Sequence, residues 1–194
     1  MRKYEYGRIG VLAKALEEVG VAPETMEAIL EGGEGVLRKT SPEKKADWMR
    51  ECMARMDSLL DQKTKRSVRE NCACCLGGKR LEMSKAIARK GGDLQERVKA
   101  CNRTKLVFGH SVEMQEDGRI LVRFAPEGLA SYKCVCMPKS KKPISKTYCY
   151  CCGGHVKHHL QIALGEKLEC DVRSSALSSR GEQPCTFLFS MVDG

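Results

Sequence analysis

Aromatic residues are scarce in this sequence and account for 5% of its 194 residues. Proteins that bind single-stranded nucleic acids stack bases on aromatic side chains along a basic groove, and no basic stretch with interleaved aromatics is present. The net charge of +9 therefore does not by itself predict nucleic-acid binding, and we do not expect a nucleic acid to be the partner. A zinc ion held by four thiolates would also lower this charge, to about +7.

Long apolar runs are lacking too. None approaches the roughly 18 residues that a membrane-spanning helix needs, so no membrane span is predicted. The first residues, MRKYEYGRIGVLAKAL, contain neither an apolar core of signal-peptide length nor a small-residue cleavage site. We therefore expect a cytoplasmic protein, and in reducing surroundings clustered cysteines are more often metal ligands or redox groups than disulfides.

Cysteine, in contrast, is abundant, with twelve in the chain. Eight of them form three short clusters, which are Cys72, Cys74 and Cys75; Cys134 and Cys136; and Cys149, Cys151 and Cys152. Sulfurs so close in sequence suit a soft metal, which binds several of them at about 2.3 Å. The single residue between the cysteines of a C-x-C pair is fewer than the two to four typical of zinc fingers.

The first sixty or so residues have the periodicity of amphipathic helices. A short helix is expected to start near Pro23, and a longer one has Ser41 as its N-cap. The longer helix buries one apolar face, on which Cys52 is a core residue. These segments predict a helical N-terminal region, residues 1–66.

The remaining residues, 67–194, mix helices with strands. Asp93 and Glu96 form a capping box, and alternating apolar residues around the turn Glu116-Asp117-Gly118 predict a β-hairpin. A helix that ends at Gly165 and two more strands follow, with Cys170 and Cys185 facing inward. The predicted fold class is α+β, an antiparallel sheet flanked by helices, with an N-terminal helical extension.

The last part of the chain carries a resemblance to a known family. From residue 147 the sequence runs TYCYCCGGHVKHHLQIALGEKLECDVRSSALSSRGEQPCTFLFSMVD, which contains a helix, a strand, a serine-containing turn and then C-x-F-x-F. This segment resembles the end of the 4-vinyl-reductase-like, hydrocarbon-binding domain. With the upstream CVCMP and the earlier cysteine cluster, residues 68–194 are similar to a cysteine-rich bacterial branch of that superfamily and to aminothiazoline-carboxylate hydrolase-like proteins.

The resemblance implies a fold shared with small subunits of vesicle-tethering complexes and a small hydrophobic molecule as ligand. It also implies zinc, held by cysteines near the C-terminal helix. Carrying over the two C-x-C elements and the early cluster gives six predicted metal ligands: Cys72, Cys75, Cys134, Cys136, Cys149 and Cys151. Cys74 competes with Cys72 and Cys75 for a place in the early cluster.

Six thiols exceed the four of one structural zinc site. Either two are spare, or one is a nucleophile beside a metal, or the cofactor is an iron–sulfur cluster. His155, four residues after Cys151, could replace a cysteine as ligand, or could act as the base for Cys152. His158 and His159 are expected to be exposed.

The sequence thus favours a zinc-binding domain that binds or senses a small ligand and uses the metal as a structural link. A cysteine- or metal-dependent enzyme, either a small-substrate hydrolase or a reductase, is the first alternative, and an iron–sulfur protein is the second. Whether the chain is an enzyme stays open at this point, and a homodimer is compatible with these observations.

Overall fold

The computed structural model describes residues 4–129 and 131–192, and this part of the chain contains eight α-helices and four β-strands. The helices are α1 (Gly7–Glu18), α2 (Pro23–Leu30), α3 (Pro42–Leu59), α4 (Gln62–Asn71), α5 (Gly78–Lys90), α6 (Leu94–Arg103), α7 (Lys105–Phe108) and α8 (Tyr150–Leu164). The strands are β1 (Ser111–Met114), β2 (Ile120–Arg123), β3 (Leu168–Ser174) and β4 (Thr186–Met191).

The four strands form one antiparallel sheet in the order β1-β2-β4-β3. Phe187 of β4 lies opposite Val122 of β2 and Val172 of β3, so three apolar side chains share one face of the sheet. The inward positions of Cys170 and Cys185, both buried, are confirmed. The α+β fold with an antiparallel sheet and an N-terminal helical region is therefore also confirmed.

Helix α8 lies between the sheet and the other helices, and two adjacent glycines permit this position. A Cβ atom on Gly153 would lie 2.6 Å from the Cys170 sulfur, and one on Gly154 would lie 2.8 Å from the carbonyl oxygen of Glu70. Cβ atoms do not tolerate such distances, since close-packed interiors have no spare volume. The glycines therefore bring the start of α8 directly against β3 on one side and α4 on the other.

The N-terminal helices join the same core. Buried residues from α1 to α4 and from the sheet form one hydrophobic cluster, to which Cys52 belongs as expected. The predicted N-cap is confirmed, because Ser41 accepts a hydrogen bond from the backbone N–H of Lys44. The boundary expected after residue 66 falls within α4, which is continuous from Gln62 to Asn71.

Further local predictions are confirmed. Asp93 and Glu96 form both hydrogen bonds of the capping box at the start of α6. Gly165 ends α8 in the left-handed conformation. None of the helices in the described part of the chain has the length and apolar character that crossing a membrane would require.

Candidate thiolate centre

A pocket of about 430 Å³ lies where α1, α4 and the start of α8 meet. Four cysteines from three separate segments of the chain line it: Cys72 and Cys74 just after α4, Cys136 in the loop before α8, and Cys151 in the first turn of α8. Its volume is within the range of about 300–1,000 Å³ that is usual for ligand and cofactor sites. The fold thus gathers members of all three cysteine clusters around one cavity.

Two arginines stand in the wall of this pocket, Arg8 from α1 and Arg69 from α4. Tyr148 connects them: its hydroxyl accepts a hydrogen bond from Arg8 Nη1 at 2.8 Å, and its carbonyl oxygen accepts one from Arg69 Nη2 at 3.0 Å. Arg8 Nη1 also donates to the carbonyl oxygen of Cys136 at 2.8 Å. Both cations are therefore held at the thiols by the segment that leads into α8.

The charge of Arg69 is unusually deep in the protein. Only 3% of the residue is exposed, and its Nε has no hydrogen-bond partner among the described residues. Burial lowers the pKa of Arg69, but the neighbouring thiols of Cys151 and Cys72 and the phenol of Tyr148 raise it overall. An uncompensated buried charge is costly, so this position calls for negative charge nearby.

Cysteine thiols near the N-terminus of α8 contact one another. Cys136 Sγ lies 3.5 Å from Cys152 Sγ. Hydrogen bonds from the thiols of Cys134 and Cys152 lower the pKa of Cys136, and Arg8 and Arg69 act in the same direction. A hydrogen bond from Cys152 lowers the pKa of Cys151 to about 7, again with help from Arg69. Two of the four pocket cysteines are thus favoured as thiolates, the form that binds metals and attacks electrophiles. Burial raises the pKa of the other two, Cys72 and Cys74, so these stay neutral thiols.

Histidines of α8 hold the first cysteine cluster in place. His155 Nδ1 lies 3.0 Å from the carbonyl oxygen of Cys74, and His159 Nε2 lies 3.1 Å from that of Cys75. The other ring nitrogen of His159 lies 3.0 Å from Ser84 Oγ on α5. The prediction that His159 is exposed is wrong: it is fully buried, because it braces the loop after α4 against α5 and α8.

The remaining clustered cysteines occupy different surroundings. Cys149 is buried, and its sulfur lies 2.9 Å from Ser175 Oγ. A hydrogen bond with Cys185 and burial raise the pKa of Cys149, which therefore stays a neutral thiol. Cys75 is exposed, has a left-handed backbone with φ of 62°, and is not among the residues lining the pocket.

Of the six predicted metal ligands, the structure brings Cys72, Cys136 and Cys151 to the pocket. Cys134 is buried and lines a different cavity, together with Met137 and Leu177. Within residues 4–129 and 131–192, no three cysteine, histidine or carboxylate side chains form a group that could hold a single metal ion. Both ring nitrogens of His155 lie near carbonyl oxygens, those of Cys74 and Val107. His155 therefore holds the loop after α4 in place and is not positioned as a metal ligand.

Sequence reasoning missed several residues of the pocket. The resemblance implies Cys75 as the ligand and leaves Cys74 as its competitor, whereas the pocket is lined by Cys74. Nothing in the sequence singles out Tyr148. Arg69 offered one signal, since it stands three residues before Cys72 and thus one helical turn away. Arg8 is 128 residues from its partner Cys136, and no local pattern could have joined them.

Residues 11–189 match the model of a protein family that is described as a family of unknown function, DUF6144. The chain belongs to this family. The DUF6144 match includes all three cysteine clusters and Arg69, whereas Arg8 lies just before it. No curated protein matches the chain. The description of DUF6144 assigns no activity, so function has to be argued from the pocket.

Proposed function

We propose that this protein binds a soft metal through the thiolates of its pocket. One observation carries the proposal: four cysteines from three distant segments line a single cavity that two arginines also face. Four cysteines gathered without charge compensation would resist deprotonation, because neighbouring thiolates repel one another. Arg8 and Arg69 supply that compensation at Cys136 and Cys151, whose pKa values are lowered. A metal would have to displace the protons of Cys72 and Cys74, because burial raises the pKa of both thiols.

The metal in this proposal also serves as a structural link. The loop around Cys136 contains little regular structure between β2 and the 3-10 turn Lys146–Cys149. A metal would have to draw Cys136, Cys151 and the cysteines after α4 closer together, because no three of the described side chains form a single-ion site as they stand. Bonds to the metal would then fix this loop on α8. Metal binding would then add to the free energy of unfolding, since the unfolded chain has no such site. Zinc is the metal that the sequence favours, and the small-ligand role of a 4-vinyl-reductase-like domain would build on this centre.

Elemental analysis of the protein purified without oxygen tests the proposal. The wild type should contain at least one soft metal atom per chain, and Cys136→Ser should lose most of it. Cys101→Ala is the matched control, because Cys101 is buried in the core outside the pocket. A metal-free wild type, or equal metal content in all three proteins, would refute the proposal.

A second candidate function, thiol–disulfide exchange, is favoured by the distance of 3.5 Å between Cys136 Sγ and Cys152 Sγ. The two sulfurs of a disulfide lie about 2.05 Å apart, so these two would have to move about 1.5 Å closer to form one. The Cys136 thiolate would attack a disulfide substrate and release one thiol, and Cys152 would then displace the second. The cysteine pair loses two electrons, which the substrate gains. One released thiolate takes the proton of Cys152, and the other takes a proton from water.

Trapping distinguishes this candidate from metal binding. With a small aromatic disulfide as substrate, Cys152→Ser should accumulate a mixed disulfide on Cys136, whereas wild-type protein should form the internal disulfide and release two thiols. Mass spectrometry reads both products. If Cys136 stays unmodified in metal-depleted protein, thiol–disulfide exchange is not its function.

A further inference from the structure

We infer that the pocket accepts small disulfides that carry a carboxylate, which Arg8 and Arg69 bind while the sulfur of Cys136 attacks the disulfide. The inference names a substrate class for thiol–disulfide exchange, the second candidate function, and rests on that function. It does not depend on whether the pocket also binds a metal.

The first argument is the composition of the pocket wall. Arg8 and Arg69 both belong to it, and none of the described residues that line it is an aspartate or a glutamate. Apolar side chains, those of Val11 and Met49, form another part of the wall. Small-molecule sites typically combine apolar walls with a few charged groups that fix orientation. This wall therefore suits a small molecule with an apolar body and an anionic group.

The second argument is the hydrogen bonding of Arg69. Its guanidinium lies over the ring of Tyr148, 4.8 Å from the ring centroid, and donates to the carbonyl oxygen of that residue. These contacts fix its orientation, yet its buried Nε has no hydrogen-bond partner among the described residues. A buried donor without an acceptor is costly, and guanidinium groups bind carboxylates through paired hydrogen bonds. A carboxylate in the pocket would supply the acceptor that Arg69 lacks.

The third argument is the position of the arginines relative to the two sulfurs that would react. Arg8 Nη1 donates to the carbonyl oxygen of Cys136 at 2.8 Å, and Cys136 lines the same cavity as both arginines. One small molecule can therefore present its disulfide to Cys136 and its carboxylate to an arginine. Cys152 Sγ lies 3.5 Å from Cys136 Sγ, where it can complete the exchange.

The exchange itself increases the need for a carboxylate. Arg8 and Arg69 stabilise the thiolate of Cys136 before it attacks. As the bond from Cys136 to the substrate forms, the substrate disulfide breaks, and the negative charge leaves on the released thiolate. The buried charge of Arg69 then loses a partner, which is costly. A carboxylate on the half of the substrate that stays bound replaces the lost charge until Cys152 displaces that half.

Two aromatic disulfides test the inference: dithiobis-nitrobenzoate, which carries a carboxylate on each ring, and dithiodipyridine, which carries none. Each reacts with metal-depleted Cys152→Ser protein, and mass spectrometry follows the mixed disulfide on Cys136 over time. The ratio of the two rate constants cancels any effect on the thiolate that both reagents share. Exposed Cys75, which does not line the pocket, gives the reference ratio in the same sample.

The preference for the carboxylate-bearing disulfide should be about tenfold greater at Cys136 than at Cys75, as expected for one charge-assisted hydrogen bond. In the same background, Arg8→Met and Arg69→Met should each remove most of this preference. Arg66→Met, which changes an arginine of α4 outside the pocket, should keep it. Circular dichroism checks that each variant is folded. Arg8 is exposed, so the result does not depend on Arg69→Met alone.

The outcomes separate this inference from the functions proposed above. Equal ratios at Cys136 and Cys75, or a preference that both folded arginine variants keep, would overturn the substrate class and leave thiol–disulfide exchange intact. If Cys136 reacts with neither disulfide, the exchange function and the inference both fail. Metal content is measured on separate protein and decides on metal binding alone.

Discussion

Two groups of cysteines meet at the start of α8 and differ in what surrounds them. Cys151 faces the pocket with two arginines and is favoured as a thiolate, whereas Cys149, two residues earlier, is buried beside Ser175 and Cys185 as a neutral thiol. Both belong to one C-x-C pair. Some cysteines of this chain are thus suited to bind or react, and others only pack in the core. The three-dimensional surroundings of each thiol distinguish the two kinds.

The largest expected effect compares these two positions directly. Cys151→Ser should lose nearly all bound metal, since it removes a thiolate from the pocket. Cys149→Ser should keep its metal and lower the free energy of unfolding by about 1–3 kcal/mol, because a more polar group replaces sulfur in the core. Elemental analysis and urea denaturation measure the two outcomes. Metal loss from folded Cys149→Ser would restore this residue to the ligand set.

The next prediction concerns His159, which contacts the loop after α4 and Ser84 of α5 and does not line the pocket. Burial lowers its pKa from 6.5 to about 4. Between these pH values the unfolded chain binds a proton that the folded protein does not, so the free energy of unfolding should fall as the pH is lowered from 6.5 to 4. The fall should reach about 2–3 kcal/mol.

The control for this pH dependence is His159→Gln, whose side chain does not titrate. The variant should be less stable at neutral pH, and the difference between it and the wild type should shrink as the pH falls to 4. Denaturation in urea at a series of pH values gives both curves. Parallel curves would mean that His159 titrates normally in the folded protein.

Gly154 tests whether the pocket depends on the close approach of α8 to α4. Gly154→Ala should lower the free energy of unfolding by about 1–3 kcal/mol, because the new Cβ would lie 2.8 Å from the carbonyl oxygen of Glu70. Gly10→Ala is the matched control: its Cβ would meet no atom within 4 Å, and in α1 the change should be neutral or stabilising. Equal stability of the two variants would contradict the packing described for α8.

Substitution of Arg69 tests whether the buried positive charge beside Cys151 helps the pocket to bind metal. Arg69→Met should weaken metal binding about tenfold, because it removes a buried cation next to the thiolates. Arg66→Met, on the same helix but paired with Glu169 outside the pocket, should change it little. Competition with a chromogenic chelator measures the affinities. If Arg69→Met binds metal as tightly as the wild type, the arginine has a structural role alone.

The smallest effect is expected at Cys75. Cys75→Gly should keep all bound metal and leave stability unchanged within about 1 kcal/mol, since glycine readily adopts the left-handed backbone that Cys75 has here. Metal analysis and thermal denaturation check this outcome. Lost metal would show that Cys75 is a ligand, as the sequence suggested.

Much of the fold could be predicted because its signals are local. Three confirmed features each depend on residues within a few positions of one another. They are the N-cap Ser41, the capping box of Asp93 and Glu96, and the alternation around Cys170. The close packing of Gly154 against Glu70 has no local sequence signal, since it depends on a contact between distant segments. The starts of α3 and α6 and the strand that contains Cys170 could therefore be predicted, whereas the extent of α4 and the position of α8 could not.

The pocket could be predicted in part. The family resemblance implies Cys72, Cys136 and Cys151, which line the pocket, and equally Cys75, Cys134 and Cys149, which do not. Adjacent residues in a loop or at the start of a helix face different directions. The periodic pattern around these cysteines is too short to predict which of them face the pocket. Arg8 reaches Cys136 across 128 residues, a relation that only the folded chain reveals.

Metal content of wild-type protein, purified without oxygen and measured together with its free thiols, tests the central claim most directly. The account predicts at least one soft metal atom per folded chain, and pocket cysteines that become available to a thiol reagent after the metal is removed by a chelator. Folded protein without metal, whose pocket thiols react fully before any chelator is added, would contradict it.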